Sequence, residues 1–101
     1  MYVVLLKFAL HKARAPALME GHKAWIQQGL DDGVFLVVGS LQPAAGGAIL
    51  AHGASPAELK ARVDEDPFVQ EDVVSAEILE IAPNRADPRL AQAASNALAK
   101  I

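Results

Sequence analysis

The segment of residues 2–10, YVVLLKFAL, constrains the fold of this chain more than any other stretch. It is rich in β-branched and aromatic side chains, and both alternating sets of positions are apolar. A strand of this kind has both of its faces covered, so we expect it to lie in the centre of a sheet. With 101 residues the chain is one domain by size, with a small core that gains from a partner.

The remaining segments alternate between helical and extended patterns. A helical period begins near Pro16, and Gly33 is well placed to end it. Three further strands are predicted, at 34–41 (VFLVVGSL), 48–52 (AILAH) and 73–82 (VVSAEILEIA), and residues 43–47 (PAAGG) form a hairpin connection.

A second helix has a strong start signal. Ser55 and Glu58 form a capping box, and Pro56 occupies the first helical position. We expect this helix to stop at Asp66, because Pro67 pushes the preceding residue out of the helical region.

The predicted order is βαββαβ, which is that of the ferredoxin-like α+β fold: a four-stranded antiparallel sheet with two helices on one face. The other face would then be bare. Strand two is apolar on both alternating sets, Val34, Leu36 and Val38 against Phe35 and Val37. Because a soluble monomer does not leave such a patch to water, we expect a homodimer in which two sheets pack face to face.

The tail, residues 83–101, begins again with a cap, Asp87, followed by Pro88. One stripe of it is apolar, which predicts a short docked helix. The stripe contains Leu90, Ala94, Ala97, Leu98 and Ile101. The sequence does not say against which surface this helix docks. The tail could also build a larger assembly than the dimer.

Composition excludes several classes of protein. The net charge of -3 and only five aromatic residues disfavour nucleic-acid binding. The absence of cysteine excludes disulfides, thiolate nucleophiles and zinc–thiolate sites. Residues 1–10 lack a basic lead-in and a cleavage site and are too short to span a bilayer, so we expect a soluble, cytoplasmic protein without a membrane partner.

Residues 64–68, DEDPF, place three carboxylates at the predicted end of helix two. The helix macrodipole already carries partial negative charge there, so each acid costs about 0.3–1 kcal/mol. Breaks in a local rule are more common at functional or strained positions, although a solvated acidic cluster explains the pattern as well.

Of the three histidines, His22 differs because it lies within the apolar stripe of helix one. Leu18 is one turn before it and Trp25 and Ile26 one turn after, so its ring points toward the sheet. From this position alone, a core histidine is the more common situation. His11 and His52 fall at the ends of strands, where a surface position is expected.

In this topology helix two ends beside helix one, so Asp66 could reach the imidazole of His22. It would then orient the ring, fix its tautomer and stabilise its protonated form. Pro67 would aim Asp66 inward, and Phe68 would form the pocket wall, while Asp64 and Glu65 face water. The alternative is a structural ion pair between two helices, which spacing cannot separate from a catalytic pair.

Three segments together resemble the YCII family of small dimeric α+β barrel proteins with a ferredoxin-like fold: GHKAWIQQGLDDGVFLVVGSL, ASPAEL and DEDPF. The resemblance covers roughly residues 1–82. Family members carry a His and Asp pair in a pocket near the dimer interface, proposed as catalytic, and these roles fall on His22 and Asp66. Some relatives remove chloride from chlorinated hydroxyquinols.

The chain departs from the family pattern at two places. Gly39-Ser40 stands where members often show Gly-Pro, which puts a hydroxyl in the pocket. Leu18 and Met19 stand where members often have a basic residue about a turn before the histidine, which argues against an anionic substrate bound from helix one.

These residues support two hypotheses. In the first, His22 transfers a proton, Asp66 orients it, and Gly39, Ser40, Trp25 and Phe68 contact a small cyclic or phenolic substrate. Proton abstraction, isomerisation or elimination would suit such a pair, with neither a metal nor a cofactor expected. In the second, the pair only fixes the helices of a dimeric binding module. A redox enzyme that uses molecular oxygen remains an analogy from fold alone.

Overall fold

The computed structural model describes residues 1–90. Its strands are β1 (Tyr2–Phe8), β2 (Phe35–Leu41), β3 (Gly46–Ala51) and β4 (Val74–Glu80). Its helices are α1 (Ala15–Asp31), α2 (Pro56–Val63) and α3 (Pro67–Gln70), with 3₁₀ turns at Lys12–Arg14 and Pro88–Leu90. No helix in this part of the chain is long and apolar enough to cross a bilayer.

The four strands form one sheet in the order β2-β3-β1-β4, and all neighbours are antiparallel. As expected, β1 lies inside the sheet, between β3 and β4. The element order and the sheet are compatible with the ferredoxin-like α+β fold. Strands β1, β3 and β4 end one or two residues before the apolar runs do, β2 and β4 begin one residue after them, and β3 begins two residues earlier, at Gly46.

A bulge in β2 corrects the expected alternation of that strand. Phe35 pairs with Ala51 and Val37 with Leu50, so Leu36 is the extra residue. Phe35 and Val38 consequently share the face that carries the helices, whereas Val37 lies on the opposite face. Strict alternation from Val34 to Val38 is wrong because a bulge shifts the phase of every later side chain.

The core lies between one face of the sheet and the helices. The buried side chains of the sheet all belong to that face, and residues of α1, α2 and α3 complete the same cluster. Its members include Val4, Leu6, Phe35, Ile49, Val74, Trp25, Leu59, Val63 and Phe68. Both predicted helices therefore pack on the same face of the sheet, as expected.

The opposite face carries an apolar row that crosses all four strands. The cross-strand pairs Val37–Leu50, Leu50–Val3 and Val3–Leu79 form this row, which we call the transverse row. Val37 and Leu79, at its two ends, are 57% and 46% exposed. The described chain thus leaves a continuous apolar strip uncovered.

Helix α2 starts as predicted but ends earlier. Glu58 donates its backbone N–H to Ser55 Oγ at 3.1 Å, and Ser55 donates its own to Glu58 Oε1 at 2.9 Å, which completes the capping box. The helix ends at Val63 rather than Asp66, and Pro67 occupies the first turn of a further helix, α3. The prediction that Asp66 ends helix two is therefore wrong: Asp66 begins the next helix.

Little of the predicted tail helix falls within the described residues. Asp87 accepts the backbone N–H of Arg89 at 2.9 Å and precedes a 3₁₀ turn at Pro88–Leu90. The other positions of the proposed stripe, Ala94, Ala97, Leu98 and Ile101, lie outside the described residues.

Candidate functional site

Helix α1 carries His22 on the stripe that faces the core. Trp25 and Gly29 on this stripe are buried, and Ile26 packs against the core. The His22 side chain retains 14% of its accessible surface. It is therefore neither sealed in dry packing nor free in solvent.

Helix α3 approaches α1 closely beside this histidine. A Cβ built on Gly21 would lie 3.2 Å from Cγ of Pro67, tighter than an ordinary van der Waals contact. Since Gly21 has no side chain, α3 can pack close to α1 at this point. The next residue of α1 and the residue before Pro67 are then brought together. These residues are His22 and Asp66.

Asp66 is fully buried and is the N-cap of α3. Its Oδ1 accepts the backbone N–H of Phe68 at 3.0 Å and lies 2.8 Å from Nδ1 of His22. Negative charge at a helix N-terminus is favourable, so the carboxylate that looked misplaced at the end of one helix is well placed at the start of another.

The other two acids of the DEDPF segment lie outward, as expected. Asp64 is exposed and pairs with Lys60, with Nζ 2.7 Å from Oδ2. Glu65 is exposed as well. Only the third carboxylate of the cluster enters the site.

The contact with Asp66 determines which ring nitrogen of His22 is available for chemistry. An ionised carboxylate only accepts hydrogen bonds, so the Nδ1–H group donates a hydrogen bond to Oδ1. The neutral ring then has its acceptor lone pair on Nε2. Among residues 1–90, Nε2 has no hydrogen-bond partner. Oδ2 of Asp66 is buried and has no hydrogen-bond partner in the same range.

Two aromatic side chains hold the imidazole plane. The Phe68 ring stacks on His22 with centroids 3.9 Å apart and planes 2° apart. Trp25 lies beside it at 6.0 Å and 25°. Trp25 is itself fixed, because its indole N–H donates to the Arg62 carbonyl at 2.9 Å. The ring of His22 is thus oriented by a carboxylate at one edge and by an aromatic face.

A cavity of about 360 Å³ lies between α1 and the sheet, and His22 forms part of its wall. Gly39, Ser40 and Phe68, three of the four residues expected to contact substrate, also border it. Trp25 and Asp66 are not among the lining residues. Most of the remaining wall is apolar and includes Leu6, Met19, Ile26, Val38, Ile49 and Val74.

Sequence reasoning missed Lys23, which also borders the cavity. A signal for it existed: Met19, Lys23 and Ile26 follow the i, i+4, i+7 spacing of a helical stripe adjacent to that of His22. All three line the cavity. Gly46 and Gly47 of β3 were missed too, because glycines in a predicted hairpin do not indicate a wall.

The other two histidines lie away from this cavity. His11 is exposed, as expected, with Nδ1 3.1 Å from the Glu71 carbonyl oxygen. His52 is half-buried rather than on the surface, and its Nδ1 is buried without a hydrogen-bond partner in the part of the chain described. Among residues 1–90, no three His, Asp or Glu side chains come together as a metal site would require.

Comparison with known proteins agrees with the resemblance drawn from the three motifs. The model of the YCII-related domain matches residues 1–82. A search of curated proteins finds no significant match. The matched region contains α1, the DEDPF segment and all four strands, and so includes every residue of the candidate site. Since the family model matches most of the chain, the chain belongs to the YCII family.

Proposed function

We propose that His22 and Asp66 act as a general acid-base pair on a small molecule held in the cavity. The observation that carries this proposal is the 2.8 Å contact between Nδ1 of His22 and Oδ1 of Asp66, made by a ring that also borders the cavity. Nε2 is the proton acceptor in this scheme. Asp66 stabilises the imidazolium that forms when Nε2 takes the proton.

The reaction class follows from what the pair can supply. A positioned acid or base of this kind typically contributes about 10²- to 10⁴-fold, which suits proton abstraction, isomerisation or elimination. The Ser40 hydroxyl, with the backbone near Gly39, would bind the substrate oxygen at which negative charge develops. The proposed activity is therefore that of an acid-base enzyme of the lyase or isomerase type.

The cavity limits the size and nature of the substrate. Its volume of about 360 Å³ lies at the lower end of the roughly 300–1,000 Å³ that is typical of small-molecule sites. The wall is mostly apolar and includes the face-stacked pair of Phe68 and His22. A small cyclic or phenolic molecule fits both features.

A second candidate function is a binding module in which the pair is structural. It is favoured by one observation: Asp66 is fully buried and caps α3, so the fold uses this carboxylate whether or not chemistry occurs. In this alternative the cavity holds a metabolite without changing it.

We also propose that the protein works as a homodimer of the α+β barrel type. Support comes from the transverse row, which leaves apolar side chains of every strand uncovered in the described chain. A second copy would cover this row by packing its own sheet against it, and the two-fold axis makes the contact self-complementary.

Exchange of the C1 protons of 2-tetralone in D₂O, followed by NMR, tests the acid-base proposal. Nε2 removes a C1 proton, the electron pair moves to form the enolate, and a deuteron returns to the same carbon. We expect His22→Gln to slow exchange at least about tenfold relative to the wild type. The control is His11→Gln, since His11 is exposed and lies away from the cavity.

Exchange that persists in the His22→Gln variant would contradict the proton-transfer role and favour the binding module. So would a wild-type protein that exchanges 2-tetralone no faster than this variant. Loss of exchange in both histidine variants would show that the assay does not report on this cavity, and would likewise contradict the assignment to His22.

A further inference from the structure

We infer that the cavity takes a small organic anion with a flat apolar body, and that Lys23 binds its anionic group. This inference rests on the proposed function, because it assigns a substrate class to the same cavity. Neither the family match nor the acid-base pair requires it. The inference is argued from Lys23 and from the lack of acidic residues among those that line the cavity.

Lys23 is a cation that makes no pair with any residue in the described part of the chain. It is exposed on α1, directly after His22, and borders the cavity. No hydrogen bond or ion pair joins it to any residue among 1–90. By contrast, Arg14, Lys60 and Arg62 each pair with a carboxylate at 3.1, 2.7 and 3.0 Å, respectively. An unpaired ammonium at the edge of a pocket is available for a ligand.

The wall around Lys23 offers no competing negative charge. Its ionisable members are Lys23 and His22, and no Asp or Glu is among the lining residues. The nearest carboxylate of the site, Asp66, lies behind the wall and contacts His22. The chain as a whole has a net charge of -3, so the positive character of this wall is local. Such a wall attracts anions and repels cations.

The remaining surface defines the body of the ligand. Met19 and Ile26 flank Lys23 on the same helical stripe, and Phe68 adds an aromatic side chain. The polar side chain opposite is that of Ser40, on β2. A flat ring with one anionic substituent would place its ring on the apolar wall and its charge near Lys23. A carboxylate, a sulfonate or a phenolate supplies that charge equally well.

This position of the cation also bears on the departure from the family pattern. The family has a basic residue about a turn before the histidine, where Leu18 and Met19 stand in this chain. Lys23 follows the histidine instead and borders the same cavity. The sequence departure argued against an anionic substrate bound from helix one, whereas Lys23 supplies a cation of that helix at the cavity.

Binding of 2-naphthoate and of its neutral isostere 2-naphthamide tests the inference. Dissociation constants are measured by NMR titration at low salt for the wild type, Lys23→Gln, Lys23→Arg and Lys60→Gln. Lys60 is a matched control, because it is an exposed lysine on α2 that does not border this cavity. The Lys60→Gln variant makes the same change in net charge.

We expect the wild type to prefer naphthoate over naphthamide and Lys23→Gln to weaken naphthoate binding by roughly two- to fivefold, as for a solvent-screened ion pair. Naphthamide binding should not change in this variant. Lys23→Arg and Lys60→Gln should bind naphthoate as the wild type does. Added salt should weaken naphthoate binding more in these three proteins than in Lys23→Gln.

Equal affinity of the wild type and Lys23→Gln for naphthoate would overturn the inference, as would a wild type that binds neither probe or binds both equally. This outcome is separable from failure of the acid-base role, since binding of naphthoate requires no proton transfer. The wild type and Lys23→Gln decide the anion site by binding. The wild type and His22→Gln decide the proton transfer by exchange of 2-tetralone.

Discussion

Oδ1 of Asp66 accepts the backbone N–H of Phe68 at 3.0 Å, and the same oxygen lies 2.8 Å from Nδ1 of His22. One atom therefore starts helix α3 and orients the imidazole. Since Phe68 also stacks on that imidazole, the cap places both the carboxylate and the aromatic ring that hold His22. The N-cap of α3 and the orientation of His22 therefore depend on the same buried side chain.

Removal of this carboxylate should reduce stability more than its position in an acidic cluster suggests. We expect Asp66→Ala to lower the free energy of unfolding by about 1–2 kcal/mol, because it removes an N-cap from a fully buried position. Asp66→Asn should cost less, since an amide oxygen can still accept the Phe68 N–H. Urea unfolding at pH 7, followed by the fluorescence of the single tryptophan, measures both variants.

Asp64→Ala is the matched control for this prediction. Asp64 belongs to the same acidic cluster but is exposed and pairs only with Lys60 across one helical turn. Its removal should change the free energy of unfolding by less than about 0.5 kcal/mol. Equal losses in Asp64→Ala and Asp66→Ala would show that the cap contributes nothing beyond surface charge.

The order of the elements could be predicted because local signals and periodicity agree. The capping box of Ser55 and Glu58, the end of α1 near Gly33 and the central position of β1 all depend on residues close in the chain. The approach of Asp66 to His22 could be anticipated as well, since topology places the end of α2 beside α1. Its catalytic meaning stays a prediction.

Other features could not be predicted because they depend on contacts between distant residues. A proline after an acid is compatible both with the end of one helix and with the start of another, and the local sequence does not distinguish the two. The bulge at Leu36 has no local signature in an all-apolar strand. The spacing of Met19, Lys23 and Ile26 puts them on one helical stripe, but that this stripe borders a cavity depends on how α1 lies over the sheet.

A buried glycine in the last turn of α1, Gly29, should resist the usual stabilising substitution. Gly29→Ala gains about 1 kcal/mol of helix propensity, but the added Cβ would overlap the Phe35 ring. Overpacking of a core costs typically about 1–3 kcal/mol, so we expect a net loss of stability. Trp25 packs edge-on against the same Phe35 ring, with centroids 5.1 Å apart, and its fluorescence should change in the native state.

The partner variant for this prediction is Phe35→Leu. If overlap with the ring is the cause, Gly29→Ala should cost less free energy of unfolding in the Phe35→Leu background than in the wild type. A rise in stability for Gly29→Ala alone would contradict the close packing of α1 on β2.

The proposed dimer predicts that charge in the transverse row will separate the subunits. Val37→Lys and Leu79→Lys each place an ammonium on an exposed apolar end of this row. Because a dimer that buries the row must then desolvate two charges related by symmetry, we expect both variants to be monomers at concentrations where the wild type is a dimer. Light scattering coupled to size-exclusion chromatography measures the mass.

Leu10→Lys is the control for the dimer. Leu10 is 86% exposed, more than Val37 or Leu79. It follows β1 and lies outside the transverse row. Its substitution should leave the mass of the wild type unchanged. A wild type that is monomeric at all concentrations tested would contradict the homodimer.

The buried hydroxyl of Tyr2 should make the folded state less stable at alkaline pH. Tyr2 is 4% exposed, and its hydroxyl donates to the Ala54 carbonyl at 2.8 Å. Burial raises the pKa of Tyr2 above its usual value of 10.0, and the carboxylates of Glu80 and Glu58 raise it further. The native state thus holds the phenolic proton at a pH where the unfolded chain releases it.

The sign of the effect on stability follows from linkage. A group whose pKa is raised on folding contributes stability that is fully present below its unfolded pKa, near 10.0, and is lost as the pH rises through the folded pKa.

Because Tyr2 is the single tyrosine, absorbance at 295 nm follows its ionisation directly. We expect a midpoint above that of the urea-unfolded chain, and Glu80→Gln should lower the native midpoint. Glu77→Gln is the control, since Glu77 pairs with Leu5 on the opposite face of the sheet. A native midpoint equal to that of the unfolded chain would contradict the burial of this hydroxyl.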